Sequence, residues 1–378
     1  MIKEVCTMGG TEKTPIRVLH AIGCFEVGGA QAMVINLLEA LDRTQIQIDF
    51  VVDNPDRMEW AHRVEELGSR IHVLPKFKGN NVFQVRKAWD QFFTEHPEYK
   101  ILHSHIRSYA SLYLPVAKKH GVVTIVHSHS TSNGSGLTSL AKRALQYPLR
   151  FQADYFFGCS LEAGQWLFGK KAVESHRYHM LKNAIAVRQY RFDPQIRQQY
   201  RTLLDLGDRK TYIHIGRFHP AKNHMFLLES FARIAAKDPE VLLLLIGDGD
   251  LRDEIQAKIA QLGLQGYVRL LGTRDDIHKI LQAADCFVFP SLWEGLPVSV
   301  VEAQASGIPC VISDRITQDV VLSDLVTCLP VDQGTACWEQ ALTQPMDRKD
   351  VTETIRDAGY DIETSARWLE EFYKKILK

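Results

Sequence analysis

Two glutamates with seven residues between them, Glu294 and Glu302, are the residues of this chain that most directly suggest chemistry. The first follows an apolar run that ends in Pro290-Ser291, and the second lies in the segment after Pro297. Because proline is favoured in the first turn of a helix, this pattern predicts a buried strand, a short loop and a helix. Ligands of open α/β sheets bind at the carboxyl ends of strands, and helix starts favour anions. The spacing therefore predicts two carboxylates at an anion-binding sheet edge.

Two cationic residues follow an earlier predicted strand, TYIHIG, in the segment from Gly216 to Asn223. Arg217 would offer paired planar donors and Lys222 a compact point charge, and both suit a diphosphate. Cations held there would stabilise the negative charge that develops as a diphosphate leaves. A solvated loop with two surface charges is the alternative. The next strand ends in a Gly-Asp-Gly turn, which positive φ angles explain without any chemistry.

Two His-Ser-His triplets end predicted strands in the first half of the chain. They are His103-Ser104-His105 and His127-Ser128-His129. Alternate residues of a strand share a face, so each triplet has the spacing to chelate a metal ion. A hydrolase-type metal site would also call for carboxylate ligands, and residues 100–153 contain neither Asp nor Glu. We therefore predict no metal site.

Apolar, β-branched runs alternate with helix-length segments along all 378 residues, a pattern typical of parallel α/β sheets. Seven strands are predicted before residue 182 and six after residue 210. The length suits two domains of about 180 residues each. A polar segment, 183–194, is the predicted join. Residues 361–378 place apolar side chains at helical spacing and predict an amphipathic helix.

Composition excludes several classes of function. The chain has 45 basic and 45 acidic residues, whereas nucleic-acid binding calls for a basic excess. No apolar run approaches the roughly 18 residues that a membrane helix needs, and the first residues lack an apolar signal core. Seven scattered cysteines without a Cys-x-x-Cys pair indicate free thiols in a reducing compartment. These features predict a cytoplasmic protein that binds no nucleic acid.

The segment 137–151, LTSLAKRALQYPLRF, mixes basic residues with leucines and a tyrosine. Basic charge beside an apolar face is typical of a helix that lies on an anionic membrane surface. A solvated helix that packs its leucines on the protein core is an equal alternative. The segment therefore suggests peripheral contact with the inner face of the cell membrane.

Three motifs carry a family resemblance: Glu294-Gly-Leu-Pro with Glu302, Gly216-Arg217 with Lys222, and Gly28-Gly29-Ala30-Gln31. They resemble the retaining glycosyltransferases of family 4 (glycosyltransferase group 1), in particular the branch of bacterial exopolysaccharide and capsule synthesis. The family more often has Glu where this chain has Gln31. The resemblance implies the GT-B fold, an α/β architecture of two Rossmann-like domains whose parallel sheets face each other across a cleft. It implies an acceptor-binding domain at 1–185, a donor-binding domain at 186–360, and a C-terminal helix, about 361–378, that returns to the first domain.

The resemblance also implies roles for individual residues. The catalytic set would be His127, Arg217, Lys222 and Glu294. The donor would be bound by Gly28, Gly29, Thr273, Arg274, Gly295, Leu296 and Glu302. His103, His105 and His129 would lie on the acceptor side. Within these sets, Glu302 is expected to hold the ribose hydroxyls, and Thr273 with Arg274 to form a wall of the nucleobase pocket.

The implied activity is the transfer of a sugar, with retention of configuration, from a nucleotide-sugar donor, most simply a UDP-sugar, to a glycan or lipid-linked acceptor. No cofactor or metal ion is expected beyond the nucleotide-sugar co-substrate. A nonhydrolysing sugar-nucleotide epimerase of similar fold is the alternative. It would convert the donor without an acceptor, so the products formed from donor alone distinguish the two activities.

Overall fold

The computed structural model describes residues 14–25, 29–130, 137–345 and 347–378. These residues form two compact units. The first contains the described residues up to Asn183 together with Glu363–Lys378, and the second contains Ala184–Ile362. Each unit is built on one parallel β-sheet covered by helices.

The first unit contains a seven-stranded sheet in the order β3-β2-β1-β4-β5-β6-β7. Its strands are β1 Ile16–Ala21, β2 Ile46–Val52, β3 Ile71–Val73, β4 Ile101–Ser104, β5 Val123–Ser128, β6 Tyr155–Gly158 and β7 Tyr178–Met180. The strand order runs outward in both directions from the β1–β4 pair. The carboxyl ends of β1 and β4 therefore flank the switch point at which open α/β sheets bind ligands.

The second unit contains a six-stranded sheet in the order β10-β9-β8-β11-β12-β13. Its strands are β8 Lys210–Ile215, β9 Val241–Ile246, β10 Val268–Gly272, β11 Cys286–Phe289, β12 Cys310–Ser313 and β13 Val326–Leu329. Strand β9 is buried along its whole length, as expected for a strand covered on both faces. Here the switch point lies between β8 and β11.

Helices fill the connections between the strands. In chain order they are α1 Gly29–Ala40, α2 Ala61–Glu66, α3 Val82–Glu95, α4 Leu114–Lys119, α5 Leu137–Gln146, α6 Leu149–Gln152, α7 Leu161–Phe168, α8 Lys170–Val173, α9 Val187–Tyr190, α10 Pro194–Leu203, α11 His224–Ala235, α12 Arg252–Gln261, α13 Ile277–Ala283, α14 Val298–Ala305, α15 Ala336–Thr343, α16 Thr352–Asp357 and α17 Ile362–Ile376. Short 3₁₀ turns occupy Ala110–Leu112, Pro220–Lys222 and Gln318–Val320.

Helix α17 packs on the first sheet. Its residues Ala366, Leu369, Phe372 and Tyr373 are buried, as their helical spacing predicts. The ring of Phe372 contacts that of Phe157 in β6, with 5.2 Å between the ring centroids. The helix therefore completes the core of a unit whose other elements all precede residue 184.

The thirteen predicted strands are present within one or two residues of their predicted bounds. The join at 183–194 differs from the polar segment that was predicted. Ala184, Ile185 and Val187 are buried, and Ile185 forms a parallel bridge with Asp361. Most of this segment therefore belongs to the core of the second unit, because its apolar side chains pack there.

Candidate active site

In the second unit, the loops that follow β8 and β11 are joined by hydrogen bonds at the switch point. The amide of Leu292 donates to the carbonyl of Ala221 over 2.8 Å, and the side chain of Asn223 donates to the carbonyl of Pro290 over 3.2 Å. Asn223 has a left-handed backbone with φ of 55°, which asparagine tolerates better than most residues. The two loops therefore form one platform at the end of the sheet.

Lys222 and Glu294 form an ion pair on this platform, with 2.7 Å between Nζ and Oε1. Their side chains are only 15% and 18% exposed. Lys222 Nζ also lies 4.5 Å from the centre of the Phe289 ring, a distance typical of a cation–π contact. Arg217 is exposed, and among the described residues it has no ion-pair partner. The platform thus holds one paired cation and one cation that is available to an anion.

Glycines allow this close approach. A Cβ atom on Gly216 would lie 2.8 Å from Lys222 Cε. A Cβ atom on Gly247 would lie 2.1 Å from the carbonyl oxygen of Gly216, and Gly247 has a φ of +137°. The Gly-Asp-Gly turn after β9 therefore supports the backbone that carries Arg217 and Lys222, a role that the sequence analysis did not assign to it.

Glu302 lies in α14 and accepts a hydrogen bond of 2.7 Å from the hydroxyl of Tyr190. Burial raises the pKa of Glu302, and the Tyr190 hydrogen bond opposes this rise. The helix begins at Val298, with Pro297 as its cap residue in extended conformation. Glu302 is partly buried rather than on an exposed face, because α9 packs beside α14.

The remaining residues predicted to bind the donor differ in their exposure and in their contacts. Gly295 is exposed with open space around it, and Leu296 is half-buried against the core. Thr273 is exposed after β10, at the edge of the sheet. Arg274 is engaged by Asp276 through two hydrogen bonds of 2.8 and 2.6 Å, so its guanidinium already has a carboxylate partner.

In the first unit, helix α1 begins at Gly29, shortly after β1. Gly29 is exposed, and a Cβ atom there would contact nothing within 4 Å. The preceding Gly28 lies outside the described residues. The described part of this motif therefore presents an open helix start next to the switch point of the first sheet.

The four histidines predicted from the two triplets come together with a fifth, His20 of β1. This histidine cluster consists of His20, His103, His105, His127 and His129; the first four are at least nine-tenths buried, and His129 is half-buried. The rings of His127 and His129 stack with 4.0 Å between their centroids. Burial, followed by the neighbouring imidazoles, lowers the pKa of His127 well below its ordinary value, and burial lowers the pKa of His105 to about 3. The cluster is therefore neutral near pH 7.

Metal ligation would draw on residues of neighbouring strands rather than on one triplet. One ring nitrogen from each of His20, His103 and His105 lies within 4.8 Å of the other two, and the same holds for His105, His127 and His129. The prediction of no metal site rested on the absence of carboxylates from the sequence around the triplets. The structure adds His20 to the candidate ligands.

Three residues of these sites were missed by the sequence analysis: His20, Tyr190 and Tyr373. Tyr373 of α17 lies 2.9 Å from His20 and 2.7 Å from His103, although it follows them by 353 and 270 residues. Tyr190 precedes Glu302 by 112 residues. The position of His20 at the end of β1 was the only local signal, since the ends of strands beside a switch point commonly carry functional residues.

Segment 137–151 forms α5 and the start of α6. The side chains of Leu140, Tyr147 and Phe151 are 61%, 57% and 69% exposed, whereas Leu149 is fully buried. Lys142 and Arg143 are also exposed. One face thus packs on the core, as the solvated-helix interpretation predicts, and the other presents apolar and basic groups together. Among the described residues, no helix has the length and apolar character to cross a membrane.

Comparison with known proteins connects both units to one family. Residues 27–189 match the family described as Glycosyltransferase Family 4, and residues 197–361 match Glycosyl transferases group 1. EpsF of Bacillus subtilis, which is assigned as a glycosyltransferase, is 32% identical over 368 residues, 94% of this chain and 96% of that protein. The chain belongs to the family 4 glycosyltransferases. The predicted family is therefore confirmed.

A second relative of this glycosyltransferase is the Escherichia coli UDP-Gal:alpha-D-GlcNAc-diphosphoundecaprenol alpha-1,3-galactosyltransferase, 26% identical over 79% of each chain. Among solved structures, Anabaena HepE in complex with UDP and glucose matches with a TM-score of 0.73 at 18% identity, covering 95% of this chain and 100% of that one. A glycosyltransferase from Rickettsia africae matches with a TM-score of 0.79 at 14% identity, covering 96% and 99%. These similarities confirm the predicted GT-B fold.

Proposed function

We propose that this glycosyltransferase moves a hexose from a UDP-sugar to a hydroxyl group of a glycan or lipid-linked acceptor during exopolysaccharide or capsule assembly, with retention of configuration and without a metal ion. The bound UDP of HepE supports the choice of nucleotide. The diphosphoundecaprenol acceptor in the name of the Escherichia coli relative supports a lipid-linked acceptor. Membership of a transferase family favours this activity over the epimerase alternative.

The observation that carries the proposal is the Lys222–Glu294 pair beside the exposed Arg217 at the β8–β11 switch point. A sugar diphosphate needs cations at its phosphates and a hydrogen-bonding group at its sugar, and the platform offers both on one rigid support. Thr273 follows β10, two strands from β8 and therefore roughly 10 Å away, given about 4.8 Å between neighbouring strands. The nucleobase would extend in that direction, with Glu302 at the ribose.

In the proposed reaction, the bond between C1 of the sugar and the diphosphate oxygen breaks. The acceptor oxygen forms its bond to C1 on the same face, and its proton passes to an oxygen of the leaving diphosphate. Arg217 and Lys222 stabilise the charge on that diphosphate, and the helix starts at Gly29 and after Pro297 add partial positive charge. His127 and Glu294 hold the sugar while positive charge develops at C1.

We further propose that the enzyme works in the cytoplasm at the inner face of the cell membrane. The exposed face of α5 and α6 combines apolar groups such as Phe151 with the basic Lys142 and Arg143. Such a face suits the boundary of an anionic leaflet, where apolar groups enter the lipid and basic groups meet the headgroups. A lipid-linked acceptor would be reached from that position.

The proposal is tested first by thermal denaturation with UDP, GDP, ADP and their hexose derivatives. A ligand that binds only the folded protein raises the melting temperature with concentration, and UDP compounds are expected to do so. The stabilising donor is then incubated with and without a polyprenyl-diphosphate sugar acceptor, with EDTA present throughout. An acceptor-dependent product whose anomeric proton signal matches that of the donor is expected. Conversion of the donor in the absence of acceptor would instead establish the epimerase, and loss of transfer in EDTA would refute metal independence.

A further inference from the structure

The histidine cluster and the hydroxyl of Tyr373 form one unbranched chain of hydrogen bonds, here called the histidine chain. Its members, in order, are His127, His103, Tyr373, His20, His105 and His129. The five links between successive members measure 3.3, 2.7, 2.9, 3.0 and 2.8 Å. Each inner histidine uses one ring nitrogen toward each neighbour. Strand β1 on one side of the switch point, strands β4 and β5 on the other side, and helix α17 therefore share a single polar connection.

The two ends of the histidine chain are open. His127 Nε2 and His129 Nδ1 are buried, and neither has a hydrogen-bond partner among the described residues. The end rings are also neighbours, since they stack on each other. Each end has one group nearby that works against the fall in pKa caused by burial: the backbone of Leu181 at His127 and the side chain of Asn183 at His129.

Proton counting restricts the histidine chain to two arrangements. Loss of solvation lowers the pKa of all five rings and keeps them neutral, so each histidine carries one proton, on Nδ1 or on Nε2. The tyrosine hydroxyl carries one as well. Six groups thus supply six protons, five of which fill the five links, and the sixth must lie at an end. If it lies on His129 Nδ1, all five histidines are Nδ1–H; if it lies on His127 Nε2, all five are Nε2–H.

We propose that the five histidines share one tautomer and exchange it together, so that Tyr373, His20, His103 and His105 are positioning residues for the two end rings. A change of hydrogen bonding at either end then changes whether the other end donates or accepts. This step rests on the proposed function, in which His127 holds the sugar. Because the tautomer is shared, His127 Nε2 can accept a hydrogen bond from a sugar hydroxyl only when His129 Nδ1 is a donor. The four inner groups would act on the sugar without touching it.

The end groups give this coupling a direction. The amide of Leu181 donates to the carbonyl of Gly158 over 3.0 Å, so its backbone can offer the His127 ring only a carbonyl oxygen, which accepts. The Asn183 carboxamide can accept or, turned over, donate. A sugar hydroxyl that donates to His127 Nε2 would require His129 Nδ1–H, and the buried Oδ1 of Asn183, which lacks a hydrogen-bond partner in the described part of the chain, can accept from it. Both end contacts are then satisfied with donor bound.

A metal ion in the histidine cluster would be a competing use of the same atoms. The links already occupy eight of the ten ring nitrogens, and no carboxylate is among the groups that shift the pKa values of these rings. The charged group that does affect them is cationic: the guanidinium of Arg107 lowers the pKa of His129. Burying a divalent cation without an anion is costly. The hydrogen-bonded use therefore fits the site better.

The test is long-range ¹H–¹⁵N NMR of the full chain labelled at histidine, at a pH near 7.5. The tautomer of His214 serves as an internal reference, because its Nδ1 donates to the carbonyl of Val288 over 2.8 Å and must carry the proton. We expect the five resonances of the histidine chain to report one tautomer, or one common ratio of two. A single member of the opposite tautomer, or displacement of these resonances by stoichiometric Zn²⁺ carried by the purified protein, would overturn the proposal.

Tyr373→Phe removes only the central hydroxyl and should separate the chain into two parts. The pair His127–His103 and the three remaining histidines are then expected to show different tautomer ratios. Tyr178→Phe is the matched control, because its hydroxyl donates to the backbone of Ser160 over 2.9 Å in the same unit but outside the histidine chain. Common tautomers in Tyr373→Phe would overturn the coupling. The spectra need no substrate, so a failed transfer assay and a failed tautomer test remain distinguishable.

Discussion

Lys222 and Glu294 should respond to substitution in opposite ways when UDP binding is measured, although both substitutions lower transfer. Lys222 Nζ lies 2.7 Å from Glu294 Oε1, so a diphosphate must compete with this carboxylate for the ammonium group. Lys222→Ala removes a preorganised contact to the leaving group and is expected to weaken UDP binding and to lower the transfer rate about a hundredfold, or about 2.7 kcal/mol. Glu294→Gln keeps the shape of the side chain and removes its charge.

The size of the Glu294→Gln effect follows from the exposure of the pair. At 15% and 18% exposure it lies near the upper end of surface ion pairs, which contribute up to about 1 kcal/mol. Removing the competing carboxylate should therefore strengthen UDP binding by up to about fivefold, since 1.4 kcal/mol corresponds to a factor of ten. Transfer should still fall about a hundredfold, because the sugar loses its partner.

Isothermal titration with UDP and initial rates of transfer measure the two quantities separately. Lys258→Ala is the matched control, because Lys258 also forms an ion pair of 2.7 Å, with Glu229, but lies on α12 rather than on the platform. It should leave both quantities unchanged. If Glu294→Gln weakens UDP binding as much as Lys222→Ala does, the carboxylate does not compete for the lysine. If Lys222→Ala transfers sugar as fast as Lys258→Ala, the assigned role of Lys222 is wrong.

Three further outcomes are expected. Gly247→Ala should lower the free energy of unfolding, measured by urea titration, by about 3 kcal/mol, through backbone strain and a clash with the loop that carries Gly216. Gly263→Ala, at a φ of +68° with open space around it, should lower it by about 1 kcal/mol. Burial lowers the pKa of His105 from 6.5 to about 3. Between these two pKa values the unfolded chain binds a proton at His105 that the folded chain does not bind. The free energy of unfolding should therefore fall by about 1.4 kcal/mol for each pH unit below 6.5. Equal melting temperatures at pH 7 and pH 5 would contradict this expectation. Phe151→Ser should reduce co-sedimentation with anionic vesicles, and Phe83→Ser, on a still more exposed ring of α3, should not; equal losses would count against a specific membrane face.

The sheets were predictable because their strands are continuous apolar runs, which parallel sheets buried on both faces require. The residues of the platform were predictable for a related reason. Arg217, Lys222 and Glu294 lie in the loops that follow β8 and β11, and the carboxyl ends of parallel strands meet at one edge. Local pattern therefore specified most of the donor side, including which side chains share a loop.

Contacts between distant segments were not predictable in the same way. The helical spacing of α17 indicated that Tyr373 is buried, but not that its hydroxyl lies between His20 and His103. The spacing after Pro297 placed Glu302 in a helix at the sheet edge, but not against Tyr190, which comes from the segment that was predicted to be the join. In both cases the local sequence pattern predicts the helix that carries the residue. The group that forms a hydrogen bond with that residue belongs to a distant segment of the chain.

The position of α17 in the chain has a consequence for how the protein is made. A ribosome synthesises the whole first sheet, and then all of the second unit, before it adds the helix that carries Tyr373. Until then the nascent first unit would hold His20 and His103 without the hydroxyl that joins them, next to an uncovered apolar face. Its final folding step must therefore follow synthesis of the second unit, and the first unit has to stay competent to fold until then.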